Sequence, residues 1–246
     1  GMTVQFRINR VRAGHDSHPN IPEERPKTRW NAIPSSPLPF APVPSVYSAM
    51  TPFHSVAPLS VEEYLRHEAR SDVRHEYVAG VTYAMTGATL RHNRLLLNVA
   101  TRLRAAQGNH CSVFVNDVKV RAARDVFYYP DVVVACGALD ETAVFLSEPC
   151  LIVEVTSPST RRIDRREKLL AYREIASLRT YLIVDQRRVW VEAHTRDANG
   201  DWMQTELTAD DGLTLNCPAT RLSLRDVYEG VTLPAVGEPE PEEYEA

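Results

Sequence analysis

Apolar and polar positions recur along the chain with two periods, and the switches between them mark out the elements. Between positions 90 and 107, Leu95, Leu96, Val99, Ala100 and Leu103 fall at helical spacing and Gly108 supplies a stop, predicting the longest helix. Ser60-Val61-Glu62-Glu63 is a capping box that opens a shorter helix running to about Arg70. His75–Ala79 and Val81–Met85, joined at Gly80, read as a hairpin. Strands are predicted at 111–115, 117–122 and 127–135. Cys150-Leu151-Ile152-Val153-Glu154-Val155 is almost continuously apolar, the pattern of a central strand covered on both faces. A second helix is expected over 160–175, a strand pair at Thr180–Val184 and Arg188–His194, an edge strand at 202–207 and a short helix at 223–229. No internal repeat is found. This order predicts an α/β fold, a mixed sheet with helices on its faces.

The two ends fall outside that pattern. Ten of the 17 prolines lie between Pro19 and Pro58, and a chain so poor in backbone donors is expected to be extended or disordered. Residues 1–57 therefore read as a Pro-rich extension, 58–236 as the folded domain and 237–246 as an acidic tail. Gly1 ahead of Met2 has the form of a tag-cleavage scar, and Met50 is an alternative start close to the folded part. The net charge of −4 combines a basic N-terminal segment with five glutamates in the tail and leaves the middle mildly acidic. A phosphate-binding function would need a local basic cluster, since global charge does not supply one. No run approaches the ~20 apolar residues that span a bilayer, and no secretory leader is present, so a cytoplasmic protein with no membrane partner is expected. Cys111, Cys136, Cys150 and Cys217 show no C-x-x-C spacing, and three of them lie in or beside apolar runs. They are expected to be reduced thiols without a metal.

Glu154 is the most informative residue. A carboxylate inside Leu-Ile-Val-Glu-Val loses its hydration at a cost of several kcal/mol, so a metal, an ion pair or a proton must relieve it. A buried Glu–Arg pair is the bland alternative. Asp131 shifts the balance, because Tyr129-Pro130-Asp131 leads into Val132-Val133-Val134 and sets a second acid at the mouth of an apolar strand. Two acids on neighbouring strands resemble an oxygen-ligand site for Mg²⁺, with Mn²⁺ as a substitute. The chain has three lysines, Lys27, Lys119 and Lys168, against an abundance of arginine, so a lysine kept within a helix hints that a compact amine is wanted. Lys168 also stands four residues after Asp164, and an ordinary exposed helix pair remains the competing reading. Arg161, Arg162, Arg165 and Arg166 crowd the start of the same helix against its dipole, which a bound phosphate or a balanced charged face would explain. His92, near the start of the long helix, could contact phosphate or cap the helix, and a surface histidine is the bland alternative. Asp117 is either a turn residue or a supporting acid. No Gly-x-Ser-x-Gly elbow, P-loop or dinucleotide fingerprint occurs, and Ser157 and Ser159 lack a histidine partner.

The series His75-Glu76-Tyr77…Gly80, Arg91-His92-Asn93, Tyr129-Pro130-Asp131, Glu154-Val155-Thr156-Ser157-Pro158-Ser159-Thr160 and Asp164…Lys168…Tyr172 resembles the Uma-type restriction-endonuclease-like family of the PD-(D/E)XK nuclease superfamily. The likeness runs from about Leu59 to Leu233. It implies a restriction-endonuclease-like fold and a Mg²⁺-dependent nuclease acting on DNA, with RNA not separated from it. Asp131 and Glu154 match the metal carboxylates, the backbone carbonyl of Val155 matches a third ligand, and Glu76 matches an additional acid. The usual lysine place two residues after the glutamate holds Thr156, and the resemblance points to Lys168 instead. Ala79 departs from the aspartate usual before the hairpin glycine. Cutting both strands of a duplex would favour a homodimer. The competing expectation is a nuclease-like scaffold that binds nucleic acid or protein without cutting.

Overall fold

The computed structural model describes residues 58–85, 87–156 and 163–235. The Pro-rich extension 1–57, the acidic tail 237–246, Ser157, Ser159, Arg161 and Arg162 lie outside the described residues. Helix α1 is Val61–Glu68, and both halves of the capping box are formed: Glu63 N–H donates to Ser60 Oγ while the Ser60 N–H donates to the Glu63 carboxylate. The hairpin follows as β1 (His75–Val78) and β2 (Val81–Ala84). Helix α2, Leu90–Ala106, buries Leu95, Leu96, Val99, Ala100 and Leu103, the apolar stripe read from the sequence. Its N-cap is Thr89, whose side chain accepts from the His92 N–H.

The expected strand 127–135 is in fact two strands belonging to different sheets. β5 (Val126–Tyr128) pairs with β1 and with β4 (Val120–Ala123), and the resulting sheet has the order β2-β1-β5-β4. β6 (Val132–Cys136) lies instead between β3 (Cys111–Val115) and β7 (Leu151–Thr156). Tyr129-Pro130-Asp131 carries the chain across, and Pro130 has no N–H to continue a ladder. The larger sheet has six strands in the order β10-β9-β8-β7-β6-β3, where β8 is Thr180–Asp185, β9 Trp190–Arg196 and β10 Trp202–Thr208. All neighbours are antiparallel except β7 and β8. A parallel pair needs a long crossover, and the segment between β7 and β8 supplies it. Its described part is a π-helical turn, Asp164–Lys168, running into α3, Leu169–Arg173.

Sequence patterning missed the hairpin of β11 (Gly212–Asn216) and β12 (Ala219–Ser223), which pair with each other and with no other described strand. The short helix α4 (Leu224–Val227) follows. One face of the six-stranded sheet, with Val132, Val134, Leu151, Val153, Leu182 and Val191, packs into one core with α2, the β11–β12 hairpin and α4. The opposite face offers Val133, Ile152, Tyr181 and Ile183 to Tyr172 of α3. A third cluster, Tyr64, Tyr77 and Phe127, joins α1 to the smaller sheet, with the two tyrosine rings stacked at 4.7 Å. Among the described residues no helix is long and apolar enough to cross a membrane.

A candidate active site at the mouth of two central strands

The register of β6 and β7 pairs Val132 with Val153 and Val133 with Ile152, so one step beyond the last rung Asp131 stands opposite Glu154. The ladder ends there because Pro130 follows on one side. In its place the Val155 N–H donates to the Asp131 carboxylate at 2.6 Å, so the side chain takes over the donor. Asp131 also meets His92 Nε2 at 3.2 Å. His92 is buried at the start of α2 and is not the surface residue expected. Burial disfavours its imidazolium, but the hydrogen bond and charge of Asp131, together with a hydrogen bond to the Val155 backbone, hold its pKa above the usual histidine range.

Glu154 is 4% exposed in the middle of β7. Its Oε1 accepts from Lys168 Nζ at 3.1 Å and from the Tyr172 hydroxyl at 3.0 Å. Lys168 is no exposed helix lysine: it is 5% exposed and its Nζ also meets Glu76 Oε1 at 2.9 Å and Asp164 Oδ1 at 3.5 Å. The π-helical turn holds Asp164 and Lys168 inward together, and the Tyr181 hydroxyl donates to the Asp164 carbonyl at 3.1 Å. Glu76 comes from β1 of the smaller sheet, and its Oε1 also accepts from the Tyr129 N–H at 3.4 Å. Two sheets and the crossover thus converge on one ammonium.

The electrostatics follow from this crowding. Burial raises the Glu154 pKa well above the carboxylate norm, and the charges of Asp164, Asp131 and Glu76 add to it against the pull of Lys168. For Lys168 burial works against the charge, yet Glu154, Glu76 and Asp164 outweigh it and favour the ammonium. Four carboxylates therefore face one lysine and one histidine in a buried place, an excess of negative charge that suits a cation. Hard oxygen donors of this kind fit Mg²⁺ or Mn²⁺. Asp131 and Glu154, with the Val155 backbone beside them, are the groups that would hold it. Among the described residues the carboxylates do not gather three ligand atoms within 4.8 Å of one another, so water would complete the shell, as Mg²⁺ prefers.

Other expected residues lie at the margin. Arg165 is half-buried, with Nε 3.2 Å from Glu192 Oε2 and its guanidinium 4.6 Å from the Trp190 ring centre. Asp117 is a surface residue paired with Arg74. Thr156 is buried and its hydroxyl donates to the Val184 carbonyl. Sequence reasoning gave no role to Tyr172, nor to Glu192 and His194, whose side chains meet at 2.8 Å on β9. A signal existed, since Glu192 and His194 alternate with Val191 and Ala193 and so share the face that carries Glu154.

Comparison with known proteins agrees with this architecture. The model of the Uma2 family, described as "Putative restriction endonuclease", matches residues 61–228. An uncharacterised Synechocystis protein, slr1290, is 32% identical over 188 residues, covering 75% of this chain and 97% of its own. A second from the same organism, sll1609, is 31% identical over 158 residues, covering 62% and 89%. A crystal structure from Anabaena variabilis, titled as a "putative nuclease belonging to DUF820", superposes with a TM-score of 0.59 at 15% identity, covering 70% of this chain and 98% of that one. At that identity the likeness speaks for the fold, a nuclease-like one. The family match spans well over half of the chain, and the chain belongs to the Uma2 restriction-endonuclease family.

Proposed function

We propose that the protein is a Mg²⁺-dependent endonuclease of the PD-(D/E)XK type that hydrolyses phosphodiester bonds in DNA, with Mn²⁺ able to replace Mg²⁺. The observation that carries this reading is Lys168, a buried ammonium held by Glu154 at 3.1 Å and Glu76 at 2.9 Å beside Asp131. The metal, when bound by Asp131, Glu154 and the Val155 carbonyl, would polarise the scissile phosphate and acidify a water. Glu154 is fixed for that task by Tyr172 and Lys168, and Asp131 by the Val155 N–H. Lys168, kept charged by its three carboxylates, would orient the attacking water and offset negative charge on the phosphoryl oxygens. Glu76 positions Lys168 from the second sheet. His92, Arg161, Arg162 and Arg165 would contact the phosphate backbone without reading bases. Two copies about a two-fold axis would present one site to each strand. We place the activity in the cytoplasm, where duplex DNA is met. RNA is the alternative substrate, to be run in parallel.

The test is cleavage of plasmid DNA with Mg²⁺ or Mn²⁺ by the wild type and by Asp131→Asn, Lys168→Met and Glu76→Gln. Cutting that vanishes with chelator and in Asp131→Asn is expected. Equal cutting by all four proteins would remove the mechanism. A silent scaffold is the second reading, favoured by the self-satisfaction of the acids through Lys168, Tyr172, His92 and the Val155 N–H. It expects no rise in melting temperature on adding Mg²⁺ or Mn²⁺, whereas ligand linkage requires one for a working site.

A further inference from the structure

Cys111, Cys136, Cys150 and Cys217, all the cysteines of the chain, meet at one place. They come from the start of β3, the end of β6, the residue before β7 and the turn between β11 and β12. Two disulfides, Cys111–Cys136 and Cys150–Cys217, join them in pairs. The pairs are not independent, because Cys136 Sγ is 3.1 Å from Cys217 Sγ and 3.6 Å from Cys150 Sγ. All four side chains are only partly buried and rest against the core that α2 covers. We propose that, with its thiols reduced, this cluster is a tetrathiolate site for one Zn²⁺, separate from the acidic site and independent of the nuclease reading.

Three observations carry the proposal. Two disulfides acting only as staples have no reason to touch, whereas one ion needs sulfurs of both pairs side by side, as Cys136 is with Cys150 and Cys217. With Zn–S bonds of ~2.3 Å, neighbouring sulfurs of such a site stand about 3.8 Å apart, close to the separations between the two pairs. Next, Cys111 and Cys136 are already direct partners in the β3–β6 ladder, so a bond between them ties together nothing that the sheet leaves loose. The Cys150–Cys217 bond ties the β11–β12 hairpin, which pairs with no other described strand, to the start of β7, and one metal would tie it to β3 and β6 as well. Finally, Cys111, Cys136 and Cys217 bring three sulfurs within 4.8 Å of one another, Cys150 joins them through Cys217 and at 3.6 Å from Cys136, and soft thiolates select Zn²⁺ over Mg²⁺. Binding is balanced by proton release: four thiols and one Zn²⁺ give a tetrathiolate of charge −2 and four protons.

The experiment uses the full chain, purified under a phosphine reductant and titrated with Co²⁺ as a spectroscopic stand-in for Zn²⁺. One Co²⁺ per chain is expected, with a thiolate-to-cobalt charge-transfer band in the near ultraviolet and intense visible bands of tetrahedral symmetry, both bleached by one equivalent of Zn²⁺. Carboxylate-bound Co²⁺ gives no such charge transfer, so the acidic site does not imitate the result. Cys217→Ser should weaken Co²⁺ binding by at least ~10-fold, since even an outer-shell partner of a metal site is worth that much. Should that variant fail to fold, the wild type decides alone: one equivalent of Zn²⁺ must shield all four thiols from a thiol-specific disulfide reagent. Four thiols that react equally fast with and without Zn²⁺, or a reduced preparation showing no charge-transfer band, would overturn the proposal.

Discussion

The two faces of the six-stranded sheet are built from the same strands and do opposite things. On one face Val132, Val153, Leu182 and Ala193 form a row of register partners across β6, β7, β8 and β9, every one buried and apolar. The adjacent row on the other face runs from Asp131 opposite Glu154 to Ile183 and Glu192, and receives Lys168, Tyr172 and Arg165 from the crossover. Strand geometry makes this separation available, because successive side chains point to opposite sides. Hydrophobic burial on the first face can therefore hold the sheet while the second accepts ionised groups that contribute little net stability. Glu154 is tolerated for the same reason: its strand neighbours Val153 and Val155 pack on the opposite face, and its own side keeps the Tyr172 hydroxyl and the Lys168 ammonium.

The largest effect should come from an isosteric change on the chemical face. Glu154→Gln keeps shape and the Tyr172 hydrogen bond but removes the charge, and Lys168 retains Glu76 and Asp164. Under the proposed function, cleavage should fall by ~10²–10³-fold, the usual cost of losing one preorganised electrostatic group, while the melting temperature holds or rises. A variant that cuts normally, or that unfolds, would erase the distinction between the faces. The reverse pattern is expected for Leu103→Ala on α2, which is fully buried against the apolar face. It should cost about 2–5 kcal/mol in urea unfolding and leave the rate per folded molecule unchanged.

Much of this contrast is legible in the amino-acid sequence, and the rest is not, for definable physical reasons. Glu154 stood out because a charge inside an apolar run is expensive, and the α2 stripe because its period is strong. The division of 127–135 was hidden: Phe127, Tyr128 and Val132 all favour strands, and only Pro130 marks the point where one sheet gives way to another. Lys168 stands out by the scarcity of lysine and by the resemblance, but its surroundings stay hidden, since an i,i+4 pair with Asp164 has the same spelling whether it faces water or a buried carboxylate. A π turn leaves no trace in a 3.6-residue period. The β11–β12 hairpin carries only Leu213 and Leu215 as a weak alternation on β11 and a lone leucine, Leu222, on β12. The cysteines meet through tertiary structure, with a sequence separation of 25 in one pair and 67 in the other, so they offer no ligand spacing.

Not every buried acid belongs to the chemical face, and Glu68 sharpens that point. It lies at the end of α1, where burial would raise its carboxyl pKa, but the His75 N–H at 2.9 Å, the Tyr129 hydroxyl at 2.8 Å and the His75 ring outweigh this and lower it. A carboxylate depressed in the native state stabilises the fold above its unfolded pKa of about 4.3, and this contribution is lost as pH falls through the native value. Glu68→Gln should therefore be less stable than wild type at neutral pH, and the gap should close on acidification below the unfolded pKa. Urea midpoints measured against pH read this directly, and a gap that widens in acid would reverse the assignment.

The smallest effect is expected at Ala79, the tip of the β1–β2 hairpin. Its φ of +48° lies in the left-handed region, followed by Gly80 at +96°, so both turn residues carry positive φ as tight hairpins require. The aspartate expected there by resemblance would suit that conformation better than alanine, so the departure is one of backbone strain. Left-handed backbone costs an L-residue ~1–2 kcal/mol, and the extra chain entropy of glycine takes back ~0.5–1, so Ala79→Gly should stabilise by about 0.5–1 kcal/mol. Gly80→Ala should do the opposite, because a Cβ there would overlap Pro58. Neither change touches Glu76, which is held within β1 by its pairing with Tyr83, so cleavage per folded molecule should stay constant while stability moves in both directions. If the rate follows stability instead, the hairpin is part of the chemical face, and the boundary between scaffold and site must be drawn through β1.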